Sequence, residues 1–256
     1  MQVLVLAGSR GGSDPLAQHA GVSQKCLAAV AGRPMVERVA ETILSLDGVV
    51  RLRIAAQKPS ELEDLPVIAN ECRVTLTGCE PTPSLTVAAH LHEAGAPMLV
   101  TTADHPLLTR EMLTHFIDRA TTSDADIAVG LVSSTVILQD YPDNRRTYLK
   151  FRDGRFSGAN LFWLGNDRAR NAVRFWRRVE QDRKKPWRIA MAMGPGLLVS
   201  YLLRRLSLDE AMQKASQRVG AQARAVLLPF AEAAIDVDKV DDLLLADAIL
   251  ERRQAP

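Results

Sequence analysis

Three groups of residues carry charge or hydrogen-bond donors at spacings a folded chain can use. The first is Leu6-Ala7-Gly8-Ser9-Arg10-Gly11-Gly12, followed further on by Gln24-Lys25-Cys26-Leu27. An apolar run, then glycines, then two cations, is a way to hold a polyphosphate. Glycine permits close backbone approach and positive φ, so successive N–H groups can turn toward phosphate oxygens. Arg10 and Lys25 supply the positive charge that a triphosphate and a departing pyrophosphate require. The spacing matches neither G-x-x-x-x-G-K-[ST] nor G-x-G-x-x-G. A glycine-containing connection with two solvated cations is the alternative.

The second group is Asp104, directly behind the apolar run Met98 to Thr102. A hard cation needs such a carboxylate. A helix cap is the alternative, but Thr109 is better placed for it. The third group is Ile235-Asp236-Val237-Asp238. Acidic residues at i and i+2 on an extended segment point the same way, so Asp236 and Asp238 can join Asp104 in a Mg²⁺ site that neutralises charge on a phosphoryl group. Asp238 as N-cap of a closing helix is compatible with this.

The elements that must position these groups alternate. Gln2 to Ala7, Arg51 to Ala56, Arg73 to Thr77, Met98 to Thr102, Ile127 to Leu131 and Ala223 to Leu228 read as strands. Met35 to Leu46, Ser84 to Ala94, Arg110 to Ala120, Asp167 to Lys185, Ser207 to Gln217 and Val240 to Arg253 read as helices. Ser207 with Glu210 makes a capping box. Pro186 to Arg205 reads as two short helices broken at Gly194-Pro195-Gly196. Thr147 to Phe151 and Arg155 to Trp163 read as a hairpin turning at Asp153-Gly154. The alternation predicts an α/β fold, a single Rossmann-like domain with a mainly parallel central sheet flanked by helices. Within it, residues 1–132, which carry the glycine loop and Asp104, are expected to be the nucleotide-binding half, and residues 133–256, more helical and carrying the closing acidic motif, the half that meets a second substrate. Ligands of such sheets bind at the carboxyl ends of the strands, where the Gly8 loop and Asp104 fall.

Composition narrows the class. The 256 residues hold 32 Lys and Arg against 30 Asp and Glu, a formal net charge of +2, so nothing pulls the whole molecule toward nucleic acid. Hydrophobic residues at 47% and charged residues at 24% are ordinary for a globular chain, so disorder is not the default. The cysteines are Cys26, Cys72 and Cys79. Their odd count and the absence of C-x-x-C argue against a disulfide framework or structural zinc. Free thiols in a reducing cytoplasm are expected, with a Cys72–Cys79 bridge as the alternative. The opening MQVLVLAGSR reads as a strand and not a signal peptide. No run approaches the roughly 20 apolar residues of a membrane span.

In this order the motifs resemble the molybdenum-cofactor-guanylyltransferase-like nucleotidyltransferases, the NTP-transferase superfamily with a GT-A-type fold. The opening L-A-x-G-x-x-x-R with P-K-x-L stands here as LAGSRGGSDPLAQHAGVSQKCL, the metal-aspartate stretch as ADHPLL and the closing D-x-D as IDVDKVDDL. The loop before Lys25 is longer than in the simplest members, Gln24 stands where proline is usual, and Ala103 where glycine is common. The resemblance implies that Leu6, Ala7, Gly8, Ser9, Arg10, Gly11 and Lys25 meet the nucleotide. Arg10 and Lys25 would hold the triphosphate, and Asp104 and Asp236, with Asp238, would bind Mg²⁺. Gly78 to Thr86 falls where the family reads base and ribose, making Thr82, Ser84 and Thr86 polar contacts. The implied reaction moves a nucleoside monophosphate from CTP or GTP to a small phosphorylated acceptor with release of pyrophosphate. A glycosyltransferase on the same scaffold and a silent nucleotide- or partner-binding module are the competing readings. A nucleotide sugar lacks the γ-phosphate that Lys25 would hold.

The acceptor should be met by Lys150, Gly158 and Asn160. Arg168 to Arg188 contains nine Lys or Arg residues interleaved with Trp176 and Trp187. It reads first as a solvated helix face, with nucleic acid or anionic lipid as alternatives. The apolar Gly196 to Leu203 segment beside it leaves a peripheral membrane contact open. Base, acceptor and oligomeric state are not encoded in these motifs.

Overall fold

Strand β1 (Gln2–Leu6) is the first apolar run, and Val3, Leu4 and Val5 are fully buried. The computed structural model describes residues 1–8, 14–144, 146–180 and 194–254. A short helix α1 (Pro15–His19), capped by the Asp14 carboxylate, interrupts the long connection after β1. A 3₁₀ turn (Lys25–Leu27) and a small hairpin of β2 (Ala29–Val30) and β3 (Arg33–Pro34) lead into α2 (Met35–Leu44). Then follow β4 (Arg51–Ala56), α3 (Pro66–Ala69), β5 (Val74–Gly78) and α4 (Pro83–Ala94), capped by Thr82. Next come β6 (Met98–Thr102), α5 (Arg110–Thr122), β7 (Ile127–Ser133) and α6 (Ser134–Asp140). Thr109 caps α5 as its position implies, its side chain accepting from the Met112 N–H. The chain continues through β8 (Leu149–Phe151), β9 (Gly154–Leu164), α7 (Ala169–Val179), α8 (Pro195–Leu202), α9 (Leu208–Val219), β10 (Ala223–Leu227) and α10 (Val240–Gln254). The Ser207–Glu210 capping box opens α9 as read from the sequence.

The main sheet runs β10-β7-β9-β6-β1-β4-β5, with β8 added to β9. Contacts among β5, β4, β1 and β6, and between β7 and β10, are parallel. Strand β9 is antiparallel to both β6 and β7. The hairpin read at Asp153-Gly154 therefore exists, but its second arm is a central strand that joins the two halves of the chain in one sheet. Alternation along β1 sorts the helices. Val3 and Val5 share a buried cluster with Val36, Val39 and Ile43 of α2 and Met112, Leu113 and Phe116 of α5. Leu4 faces the other way, toward Val87 and Leu91 of α4 and Ala169 and Val173 of α7. The result is a three-layer α/β/α arrangement.

A third cluster positions the end of the chain. Leu243, Ala246, Ile249 and Leu250 of α10 pack with Ala28, Val30, Met35, Leu107, Ile235 and Val237. This draws the segment before α10 against the 3₁₀ turn that carries Lys25 and against the loop after β6.

Candidate active site

The Lys25 ammonium donates to Asp104 Oδ2 at 2.7 Å and to Asp238 Oδ1 at 2.5 Å. Each element of this arrangement has a local cause. Gln24, standing where the resemblance has proline, is buried and clamps the Lys25 turn to the loop after β4. Its Nε2 donates to the Lys58 carbonyl, and its Oε1 accepts from the Lys58 N–H, both at 3.0 Å. Asp104 follows β6, which the Ala103 N–H extends by donating to the Leu6 carbonyl at 3.0 Å. The Val237 N–H donates to the Asp104 carbonyl at 2.8 Å, so Asp236 and Asp238 flank a backbone bond to the very residue they were expected to join.

Burial by itself lowers the Lys25 pKa. The charges of Asp104 and then Asp238 outweigh it and hold the net value above the usual lysine range. Lys25 is therefore a permanent cation at neutral pH. Its side chain is 13% exposed, against 23% for Asp104 and 62% for Asp238.

Asp242, in the first turn of α10, fixes the approach to that helix: its Oδ2 accepts from the N–H groups of Asp238 and Lys239. Asp236 turns to other partners: Arg146 is ion-paired to its Oδ1, and Asn160 Nδ2 donates to its Oδ2 at 3.0 Å. Asn160 has φ +50° and lies where the β7–β9 register shifts. Asparagine tolerates the left-handed region, and the irregularity re-aims its side chain out of the strand alternation. Among the described residues, no three His, Cys, Asp or Glu side chains come together as metal ligands. What does fit a divalent cation is narrower. Asp104 Oδ1 is buried without a hydrogen-bond partner among the described residues, and Asp238 meets the same ammonium as Asp104. A Mg²⁺ ion uses one or two carboxylates and completes its shell with phosphate oxygens and water.

Arg146 was not singled out by sequence reading. It lies in an irregular connection between α6 and β8, and its partner is 90 positions away. Its side chain is only 13% exposed. Among the described residues its guanidinium makes one hydrogen bond, to Asp236, which leaves N–H groups for a ligand. His105 is wholly buried beside this cluster. Burial pushes its pKa below the usual imidazole range against the pull of Asp236 and Asp104, so it is neutral and has no access to solvent.

The remaining sequence candidates are placed as follows. Leu6 and Ala7 carry β1 to the sheet edge, and Gly8 lies against Cys79, where an added Cβ would stand 3.0 Å from Cys79 Sγ. Ser9, Arg10 and Gly11 lie outside the described residues. Thr82, Ser84 and Thr86 are engaged in the start of α4. Thr82 accepts from the Leu85 N–H, Ser84 donates to Glu180, and Thr86 accepts from the Glu80 N–H. Ser84 and Thr86 are buried, so these hydroxyls shape the loop. Gly158 faces open space, with nothing within 4 Å of an added Cβ. Lys150 is exposed on β8 and pairs with Arg155. That lies about 17 Å along β9 from Asn160 at the usual strand rise, so the two do not form one cluster. The basic stretch is described only to Glu180, within and just beyond α7. All three cysteines are free thiols.

The Lys25 cluster stands at the carboxyl end of β6, beside that of β1, where ligands of open α/β sheets bind, and solved structures share the fold. A hypothetical transferase from Thermus thermophilus superposes with a TM-score of 0.79 at 30% identity, over 94% of this chain and 98% of that one. The 4-diphosphocytidyl-2C-methyl-D-erythritol synthase of Anaerococcus prevotii has a TM-score of 0.60 at 12% identity, over 98% of each chain. A CMP:2-keto-3-deoxy-manno-octonic acid synthetase complexed with CTP has a TM-score of 0.58 at 12% identity, also over 98% of each. At that identity the last two share the fold alone. No curated protein sequence matches the chain. Residues 3–138 match the MobA-like NTP transferase domain, more than half of the chain. The chain belongs to that family and is a nucleotidyltransferase.

Proposed function

We propose that the protein moves a nucleoside monophosphate from CTP or GTP to a small phosphorylated acceptor, releasing pyrophosphate, with Mg²⁺ bound during the reaction. The observation that carries this reading is the Lys25 ammonium held between Asp104 and Asp238 beside the ends of β1 and β6. A phosphate oxygen of the acceptor attacks the α-phosphorus in line, the bond from the α-phosphorus to the bridging oxygen breaks, and pyrophosphate departs with that electron pair. The attacking oxygen is already ionised, so no general base is required, in keeping with the burial of His105. Catalysis is then positioning and charge neutralisation.

Lys25 leaves its carboxylates to meet the triphosphate and neutralises charge on the departing pyrophosphate. The described side chains of the cluster are three carboxylates (Asp104, Asp236, Asp238) and two cations (Lys25, Arg146). A triphosphate needs more positive charge than that balance offers. Asp104 with Asp238 would hold the divalent cation, which supplies that charge when bound, and Arg10 would add to it. Asp236 stays with Arg146 and fixes its plane. Arg146 and Asn160 face the acceptor, the guanidinium taking its phosphate, with Gly158 leaving the room. The CTP alternative draws on the CTP-complexed and cytidyl-forming fold relatives, and GTP on the motif resemblance.

The test is a thermal-shift titration with ATP, CTP, GTP and UTP, each with and without Mg²⁺. Ligands of the native state raise the melting temperature by mass action. One triphosphate shifting strongly only with Mg²⁺, and not in Lys25→Met, is the expected result. No shift from any triphosphate, with a shift from nucleotide sugars, overturns the proposal.

A further inference from the structure

A second surface, apart from the nucleotidyl-transfer site, has a chemistry of its own. Few large apolar side chains stand exposed among the described residues, and three of them lie within five positions: Val199 at 54%, Leu202 at 68% and Leu203 at 57%. Val199, Leu202 and Leu203 are spaced i, i+3, i+4, so they share one face of α8 and its cap. That helix is docked onto β8. The Lys150 N–H donates to the Tyr201 hydroxyl at 3.3 Å, and the Phe151 and Tyr201 rings meet edge-on at 5.6 Å. Two further bonds tie the end of α8 to the β8–β9 turn. The Arg152 N–H donates to the Leu206 carbonyl at 2.8 Å, and Arg152 Nη1 donates to the Arg205 carbonyl at 3.2 Å.

The rim of this patch is cationic. Lys150, Arg152, Arg204 and Arg205 are all exposed, and only Arg152 is ion-paired, to Glu210 at 3.4 Å, among the described residues. An apolar stripe with a basic rim fits a flat anionic surface, where leucines enter the headgroup boundary by about 5–10 Å and each cation gains from lipid phosphates. A symmetric pairing of two copies through the same face would set each basic rim against its own copy, which disfavours a dimer here. No described helix is long and apolar enough to cross a membrane. Helix α8, with 8 residues, spans about 12 Å and can only lie on one.

We propose that α8 and the β8–β9 turn form a docking face for an anionic lipid surface. Val199, Leu202 and Leu203 enter it, and Lys150, Arg204 and Arg205 lie against its phosphates.

The experiment is co-sedimentation of the full-length protein with vesicles of phosphatidylglycerol and phosphatidylcholine, compared with phosphatidylcholine alone. The wild type pellets with the anionic vesicles and stays in solution with the neutral ones, and raised salt releases it. Leu202→Glu with Leu203→Glu weakens binding at least about tenfold. Arg204→Gln and Arg205→Gln weaken it about fivefold each. All three variants keep the wild-type melting temperature and triphosphate shift, because none of these side chains belongs to the Lys25 site. A wild type that ignores anionic vesicles overturns the proposal, as does binding that the leucine variant leaves unchanged. A dimer in light scattering that the leucine variant dissolves overturns it in favour of a second copy.

Discussion

The ion pair between Lys25 and Asp104 can be weighed by a double-mutant cycle. Lys25→Met leaves the Asp104 carboxylate largely buried without its cation, and Asp104→Asn leaves the ammonium with Asp238 alone. With side chains 13% and 23% exposed, the pair is screened much less than a surface pair. Asp238, at 62%, adds at most about 1 kcal/mol. One hydrogen bond to a charged partner contributes about 1.5–3 kcal/mol, so each single substitution should cost about 2 kcal/mol. Removing both partners leaves no uncompensated charge. The double variant should then cost about 2–3 kcal/mol, a coupling of about 1–2 kcal/mol. Each single variant should melt about 4–8 °C lower in a chain of this size. The assay is urea unfolding at pH 7.5 with the slopes checked for equality. Because the Lys25 pKa is raised, the ammonium contributes fully at that pH. Its contribution would be lost only as pH rises through that elevated value. Additivity of the two substitutions to within about 0.5 kcal/mol would show that Lys25 and Asp104 are not coupled.

Further outcomes follow from the same structure. Burial pushes the Cys26 thiol up to about 12. In native protein at pH 8 the exposed Cys72 should therefore react rapidly with a thiol reagent while Cys26 reacts only on unfolding, and equal rates would contradict the burial. The raised Cys26 value also means that stability falls as pH climbs from the ordinary thiol range toward 12, because the unfolded thiol ionises first. Gly8→Ala should cost about 1–3 kcal/mol by overpacking against Cys79 Sγ, and Cys79→Ala should restore much of it, as urea midpoints will show. Asn160→Gly should be less destabilising than Asn160→Ala by about 1 kcal/mol, since only the alanine pays for the left-handed backbone while both lose the bond to Asp236.

Much of the scaffold was legible because it rests on local patterns. The continuous apolar runs at β1, β4 and β6 mark buried parallel strands, and the Thr109 cap and the Ser207–Glu210 box each lie within a few residues of their helix. The placement of β9 between β6 and β7 was not legible, since its hairpin signal speaks only for β8 and its central partners are remote in sequence. The site divides in the same way. Lys25, Asp104 and Asp238 stood out by type and context, yet their pairing spans 79 and 213 positions and only the α10 cluster brings it about. Asp236 and Asp238 follow the alternation of an extended segment, but the cations decide their partners. Arg146 carried no motif at all. Ser84 and Thr86 looked like ligand contacts because hydroxyls at a helix start serve backbone and ligands alike; here Glu180 accepts from Ser84, and Thr86 accepts from the Glu80 N–H.

Nucleotidyl transfer by this chain is read out by pyrophosphate release. Full-length protein would be incubated with the triphosphate that shifts its melting temperature, Mg²⁺ and a panel of small phosphorylated alcohols, sugars and pterins. Release would be read by a pyrophosphatase-coupled phosphate assay. Release should need the triphosphate, the metal and one acceptor class together, should equal the amount of acceptor linked to nucleoside diphosphate, and should fall about 10²-fold or more in Lys25→Met. Formation of a nucleoside diphosphate as the leaving product, or tight triphosphate binding with no turnover on any acceptor, would contradict it.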